Sequence, residues 1–558
     1  MSTRVAAAVV FAAVFALHLL CLPQQGLTDD DDFYAPAGIR CARWVGEVFT
    51  QPTTALAQPG IDAAFTLNHE HPPLAKLVFG ASWALFHRGL GILGALDGAR
   101  AGCALFAAVL CATLILWLWR SVGVVTALGS VALLLSLPRF FFHSEVATLD
   151  VPVASMIVVT TALFTWAGQR PAIGRAVVVG VAFGLACLTK LNAPFLVLPC
   201  LGLVLAERWR GFDIVVEGRL PLLRFPPLPS SLWAMALLGP LVFVVGWPWL
   251  WHDTLARLGA YFAFHLQHYP ILFFYDGEIW NKPFAPAAAV VEMALITVPV
   301  VVVVLGAIGG GSATVSLLRI VRNAGASPAP ALRDRVLALV LLQALFSVGV
   351  VALSAVPRYG GEKLFMPFFP FLCVLAGQGL SLVARAGADV LGACFGPRVH
   401  TKAGRVVVVV VLLLLASLPG AVGGARFWGG FALSYYGELG GGLRGAVARG
   451  HERTYYDVAD KELARWLDQN AVGQKVSFQP NHKEYVRTYR WLRNDGVIRG
   501  SFTLVDRVDA ADVVVLTHER RWSTYPALLQ QLAARPEWRM RHEKRVDGVP
   551  LYTVFDRR

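Results

Sequence analysis

The sequence predicts an all-α polytopic membrane protein with a small α/β domain at its C-terminal end. Three observations predict it. Hydrophobic residues make up 56% of the chain and charged residues only 15%, where soluble domains are nearer 45–50% apolar and about a quarter charged. Apolar runs of or near bilayer length then repeat through residues 1–424. From about residue 425 to 558 the composition turns mixed and polar. This divides the chain into a membrane domain, 1–424, and a soluble domain, 425–558.

The apolar runs fall near 5–22, 101–119, 121–137, 151–168, 172–188, 193–206, 232–251, 285–308, 335–355, 364–384 and 405–422. The first lacks a small-x-small cleavage site, so it reads as an uncleaved first transmembrane helix. One further segment, HPPLAKLVFGASWALF from His71, is apolar but opens on Pro-Pro and carries Lys76. Charge decides its role. If it does not cross, Arg120, Arg170, Arg175, Arg208 to Arg224, Arg319 to Arg335 and Arg385 to Arg405 all fall on the inner side. If it crosses, every Arg-rich loop faces outwards, against the positive-inside bias. It therefore reads as an interfacial or re-entrant helix inside one long outer loop, 23–100, which leaves about eleven crossings. The C-terminal domain then lies outside the membrane on the extracytoplasmic face.

The net charge of +13 is accounted for by these flanking arginines, and no nucleic-acid partner is expected. Most cysteines lie in apolar runs as small hydrophobes. Cys21 and Cys41 flank the acidic stretch and could pair on an oxidising side, and no CxxC is present. Trp247, Trp249 and Trp251 in GWPWLW read as an aromatic belt. In the last third, DVADKELARWLDQN and YPALLQQLAAR have helical spacing, while ADVVVLTH and GVPLYTVFD read as strands. Alternating helices and strands point to a small α/β fold without a dinucleotide fingerprint.

The chemistry-bearing residues gather in five outward-facing stretches: TDDDDFY, NHEHPPLAK, PRFFFHSEVATLD, FHLQHYPILFFYDGEIWNKPF and VPRYGGEKLFMPFF. Ionisable groups near hydrocarbon are costly and mark cavities or sites. Five such stretches on one face, mixing carboxylates with cations, point to a polar cavity at the outer interface. An aspartate there can take a proton from an attacking hydroxyl. Lys76, Lys190, Arg358 and Lys363 are suited to holding a phosphate. His69, His71, His265 and His268 can donate hydrogen bonds to it or bind metal. Each has a plainer use. The aspartate run could be a hydrated loop, Asp150 the N-terminal cap of a helix, and Lys190 an interfacial anchor. His69, Glu70 and His71 are consecutive, which is not the spacing of a zinc helix.

In order, the acidic pair after the first helix, HPPL, TLDVP, GLACLTKLNAPFLVLP, NKPFAPAAAV and GEKLFMPFFPFL resemble the family 39 glycosyltransferases. That group holds the protein O-mannosyltransferases and the ArnT-like aminoarabinose transferases of lipid A. The resemblance covers roughly residues 1–420, and SYYGELGGGLRGAVARGHERTYY is similar to the family's link to the soluble part. It implies a GT-C membrane fold and transfer of a sugar from a polyprenyl phosphate, on the outer face, to a lipid, glycan or protein acceptor. Carried over residue by residue, Asp30 takes the place of the first-loop base and Asp31 that of the acid after it, within a register of one residue. Asp-Asp here replaces the family's Asp-Glu. Glu70 and His71 match the position near the donor phosphate or a metal, so a divalent cation is the one cofactor left open. Asp150 matches a second acid of the cavity, and Arg358 and Lys363 the late outer loop.

His69, Glu70, His71, Lys76, Asp150, Lys190, His265, His268, Arg358 and Lys363 are thus the expected donor-site residues. The expected location is the inner membrane of a bacterium. A transporter or flippase of a lipid-linked substrate is the rival reading and would place charge at mid-membrane. A non-catalytic assembly subunit is the third.

Overall fold

In the computed structural model the described residues are 2–558 except 212, 218, 219, 225, 268, 270, 326–329, 354–355, 396–398 and 400. Each apolar run is helical. Seven helices among the described residues are long and apolar enough to cross a membrane: Thr3–Cys21 with its 3-10 extension to Gln24, Ala95–Ser121, Asp150–Ala167, Val300–Arg322, Leu332–Ala352, Phe368–Phe395 and Lys402–Arg426. Shorter apolar helices at Val124–Leu135, Ile173–Cys187, Ser230–Val245 and Ala287–Ile296 pack among them.

The expected run 285–308 is broken between Ile296 and Val300 because Pro299 has no N–H to continue the ladder. The groups freed at the break are satisfied by the soluble part. The Gly437 amide donates to the Ile296 carbonyl at 2.7 Å. The Glu438 carboxylate accepts from the Val300 amide at 2.8 Å.

The arginine-bearing loops meet at one end of the bundle. Arg335 bonds Glu207 at 2.5 Å and packs on Gly168. Arg175 donates to the Trp166 carbonyl at 3.2 Å. The five acidic and basic stretches occupy the other end, as the charge pattern predicts.

The aspartate run is not a loop. It forms the first turn of a 22-residue helix, Asp29–Thr50, because four carboxylates there complement the positive end of the helix dipole. The Asp31 carboxylate also accepts from the Thr28 amide at 3.0 Å, closing a capping box. The interfacial segment is the helix Leu74–Trp83, packed on Asp29–Thr50 and on Ala95–Ser121. Two glycines make the first contact possible. A Cβ on Gly80 would lie 2.1 Å from the Gly38 carbonyl oxygen.

The tryptophan and cysteine expectations are corrected. Trp247 and Trp249 are buried against Tyr261, Trp44 and Phe65, and only Trp251 is exposed. The chain doubles back there into the helix Thr254–Leu266, which covers them. Cys21 and Cys41 are both free. Cys41 packs in that same tryptophan cluster, while Cys21 faces Gln25 and Phe141.

The soluble domain holds a five-stranded sheet in the order Trp538–Val546, Val549–Arg557, Val513–Thr517, Lys475–Gln479, Thr503–Leu504. The first pairings are antiparallel and the last two parallel. Helices Lys461–Asn470, His482–Asn494 and Tyr525–Ala534 cover it. The two helices and two strands read from the sequence are present. Lys475–Gln479 and Trp538–Val546 were not legible, since the second alternates charge with little apolar signal. Away from the sheet, Val458–Ala459 pairs antiparallel with Leu27–Thr28, immediately before the aspartates.

Gly80→Val should overpack the contact between Asp29–Thr50 and Leu74–Trp83 and cost about 1–3 kcal/mol. A lowered melting temperature in detergent checks this, against an equal or slightly raised one for Gly46→Ala in the same helix, where a Cβ meets nothing within 4 Å.

Candidate active site

A cavity of about 140 Å³ opens at the acidic end of the bundle. Its walls include Asp29, Asp30, Tyr34, Glu70, His71, Lys190, Tyr359 and Lys363 from the membrane domain, and Tyr455, Tyr456 and Arg521 from the soluble domain.

Two carboxylate–lysine pairs form its polar centre. The Lys363 ammonium donates to both oxygens of Asp30 at 2.8 Å. The Lys190 ammonium is paired with Asp150. The Thr148 hydroxyl lies between them, 3.1 Å from Asp30 and 2.7 Å from Asp150. Local sequence explains this placement. Asp150 opens a helix just after the turn carrying Thr148, and Lys190 follows the end of the antiparallel helix Ile173–Cys187. Lys363 sits in the turn before Phe368–Phe395. Its neighbour Glu362 is fixed by Arg139 at 2.6 Å, with His143 at 3.5 Å.

Burial lowers the proton affinity of the Lys363 ammonium. The carboxylates of Asp30 and Asp150 more than offset that and raise its pKa, so it stays charged. Asp29 behaves in the opposite way. Burial first, then the charge of Asp30, pushes its carboxyl up to about 8, against the opposing pull of Lys363. Its Oδ1 has no hydrogen-bond partner among the described residues. The cavity therefore presents one lysine-paired carboxylate, Asp30, beside one carboxyl that is protonated at neutral pH. His71 is driven well below its usual value, by burial first and then by Lys190 and Lys76, and is neutral.

Asp31 stands outside the cavity. Turned roughly 100° along the helix from Asp30, it is wholly buried. Its carboxylate takes two bonds from Arg100, at 2.9 and 2.6 Å, and one from the Ala147 amide at 2.8 Å. It is a structural clamp with no oxygen left for substrate.

The other expected residues divide. Glu70 and His71 line the cavity, Glu70 accepting from Asn68 at 3.0 Å and His71 packing edge-on to Tyr34. Lys76 is buried beneath them and donates to the Asn68 and His71 carbonyls at 2.7 and 2.8 Å. Burial lowers it to about 8, and it shapes the loop rather than the cavity. His265 bonds the Glu70 carbonyl at 3.0 Å. His69 points away, over Trp249, and bonds the Thr66 carbonyl at 3.0 Å. Arg358 is spent on the backbone carbonyls of Ala285, Ala352 and Leu353 at a helix end. His268 lies outside the described residues.

Among the described residues no three His, Cys, Asp or Glu side chains gather in a way that could hold a metal ion. Among the described residues Glu70 and His71 lack a third donor, and Asp30 and Asp150 already carry lysines.

Sequence reasoning did not single out Tyr34, Thr148, Tyr456 or Arg521. Thr148 lies two residues before Asp150 within a stretch already marked. Tyr456 closes the linking stretch SYYGELGGGLRGAVARGHERTYY, but nothing in that stretch ties it to the aspartates; its hydroxyl donates to Asp30 at 3.0 Å across 426 residues of chain.

Fold and site define an integral multi-pass membrane protein with a charged cavity at one end of its helical bundle, roofed by a soluble α/β domain. The comparisons extend the resemblance. Residues 96–269 match the model of the family described as dolichyl-phosphate-mannose-protein mannosyltransferase, and over that segment the resemblance to the family 39 glycosyltransferases is borne out. That segment holds Arg100, Asp150, Lys190 and His265, while Asp30 and Lys363 lie outside it. No curated protein matches the chain. Among solved structures it is similar to ArnT from Cupriavidus metallidurans in the apo state, with 18% identity over 99% of this chain and 98% of that one and a TM-score of 0.47. The same protein bound to undecaprenyl phosphate gives 18%, 98%, 97% and 0.44. The oligosaccharyltransferase AglB from Archaeoglobus fulgidus, in complex with an inhibitory peptide and a dolichol-phosphate, gives 11%, 97%, 74% and 0.46.

Two outcomes follow. Asp31→Asn removes the nearer counter-charge of buried Arg100 and leaves only Asp97 at 3.3 Å, a loss towards the lower end of the about 3–5 kcal/mol for a broken buried pair. Its melting temperature should fall sharply and be partly restored by adding Arg100→Met. Asp29 holds its proton to about pH 8 in the folded chain but releases it near pH 4 when unfolded. The folded state therefore binds more protons over that window, and its stability declines as pH rises through it. Asp29→Asn should raise the melting temperature more at pH 8 than at pH 5. An equal effect at both would contradict the buried neutral carboxyl.

Proposed function

We propose that the chain is an inverting glycosyltransferase that moves a hexosyl or pentosyl unit from a polyprenyl phosphate to an acceptor hydroxyl or amine. Transfer takes place at the extracytoplasmic face of a bacterial inner membrane. The observation that carries this is the Asp30–Lys363 pair in the cavity wall, with Asp150–Lys190 beside it. The resemblance to family 39 and the family model over residues 96–269 support the same class.

Each group has a task. The donor phosphate carries negative charge and needs cations where its leaving oxygen gains more of it. Lys363 and Lys190 supply them. A lysine drawn towards the phosphate loosens its hold on its carboxylate, so donor binding frees Asp30 as a base. Asp30 then takes the proton of the acceptor as its heteroatom bonds to the anomeric carbon. The bond from that carbon to the phosphate oxygen breaks with both electrons going to oxygen, and the lysines hold the polyprenyl phosphate. Attack opposite the leaving phosphate inverts the configuration. Neutral His71 and protonated Asp29 line the same space as hydrogen-bonding groups for sugar hydroxyls. The acceptor is a lipid, a glycan or a protein of the envelope. The rival transporter reading needs charge along a path through the bundle, and the charged groups here gather at its two ends, the mixed carboxylates and lysines at one of them.

Removing a general base costs about 10²–10⁴-fold. With a panel of labelled polyprenyl-phosphate sugars and envelope extract, Asp30→Asn should lower kcat by that range with little change in donor KM. Lys363→Met should lower kcat and raise donor KM together. Transfer undiminished in Asp30→Asn would remove the base assignment.

A further inference from the structure

The soluble domain reaches into the cavity through Arg521 and through a short connection that carries Tyr455 and Tyr456. Leu27 pairs with Ala459 and Thr28 with Val458, so the segment entering the aspartate helix and the segment entering the soluble domain form one two-stranded ladder. Two residues before that strand stands Tyr456, fixed in register with Asp30 by the pairing. It is buried, in a cluster with Phe142, Val146, Ala432, Leu433 and Val458.

Tyr456 touches both members of the central pair. Its hydroxyl donates to Asp30 Oδ2 at 3.0 Å. Its ring lies 4.8 Å from the Lys363 ammonium, within cation–π range. The edge-on ring of His143, centroid distance 5.6 Å, closes its other side. A side chain needed only for packing would not require a hydroxyl on the carboxylate. Burial, with the nearby charges of Asp30 and Asp150, raises the phenol well above its usual value, so it remains a donor.

We propose that Tyr456 is a positioning residue of the membrane-domain site, delivered by the soluble domain. Its hydroxyl fixes the orientation of the Asp30 carboxylate, and its ring provides a resting place for Lys363 when the donor phosphate draws that lysine off Asp30. The soluble domain is then a working wall of the active site. This rests on the glycosyltransfer reading above.

The test measures kcat, donor KM and melting temperature for wild type, Tyr456→Phe, Tyr456→Leu, Asp30→Asn and Asp30→Asn/Tyr456→Phe, with the donor panel and envelope extract described above. Tyr456→Phe keeps the ring and loses the hydroxyl. Its kcat should fall about tenfold, the scale of a hydrogen bond to a charged group, with donor KM within about twofold. Tyr456→Leu loses the ring as well, and its donor KM should rise about fivefold. In the Asp30→Asn background Tyr456→Phe should cost nothing further, because it acts through that carboxylate. Unchanged kcat in Tyr456→Phe, or an undiminished tenfold loss in the Asp30→Asn background, overturns the inference and leaves the enzyme reading standing. A wild type that moves no sugar from any donor removes that reading, and this inference with it.

Discussion

The buried pair of Asp31 and Arg100 is the constraint on which the rest of the site depends. A carboxylate and a guanidinium, both fully removed from solvent, persist only when their geometry and remaining hydrogen bonds offset a large desolvation cost. Here they are offset on every side. Arg100 also donates to the Gly26 carbonyl at 2.6 Å and to Asp97 at 3.3 Å, while Asp31 accepts from Thr28 and Ala147. That network joins the first turn of the aspartate helix, the helix Ala95–Ser121 and the turn before Asp150. With Asp31 fixed inwards, the helical advance of one residue aims Asp30 at the cavity. The most reactive position is thus set by its most inert neighbour.

Electrostatics then pairs the two lysines at the centre of the cavity with its aspartates. Two lysines neutralise two carboxylates, and burial keeps Asp29 and His71 uncharged. Nothing in this arrangement is locked. A phosphate offers each lysine a second anion of similar strength, so substrate can rearrange the pairs at small net cost. Each rearranged lysine leaves behind a carboxylate better able to accept a proton. In the proposed mechanism these ion pairs are the means by which arrival of the donor would prepare the base.

Much of this was legible in the sequence, for reasons that can be named. Apolar runs report helices in lipid with little ambiguity, and arginine placement sorted their ends, so the polar end of the bundle could be read before any coordinates. Asp30, Glu70, His71, Asp150, Lys190 and Lys363 stand out because charge near hydrocarbon is rare. What composition cannot give is direction. Four consecutive aspartates look alike in a sequence, yet Asp30 lines the cavity, Asp31 anchors the fold and Asp32 faces Trp491 of the soluble domain at 3.1 Å. Arg358 and Lys363 looked equally fit for a phosphate, and only the fold shows that Arg358 is committed to backbone carbonyls. Tyr456 stood in the quoted linking stretch, but its contact with Asp30 was not legible because it arises from a two-residue strand pairing between distant segments.

The central claim is that a lipid phosphate enters this cavity and takes Lys363 from Asp30. The most direct measurement is a cryo-EM structure of the protein with a polyprenyl phosphate bound. The phosphate should lie within hydrogen-bond distance of Lys363, with the contact between Lys363 and Asp30 opened and the aspartate facing free space. A phosphate seated elsewhere, with Lys363 still on both oxygens of Asp30, would contradict it.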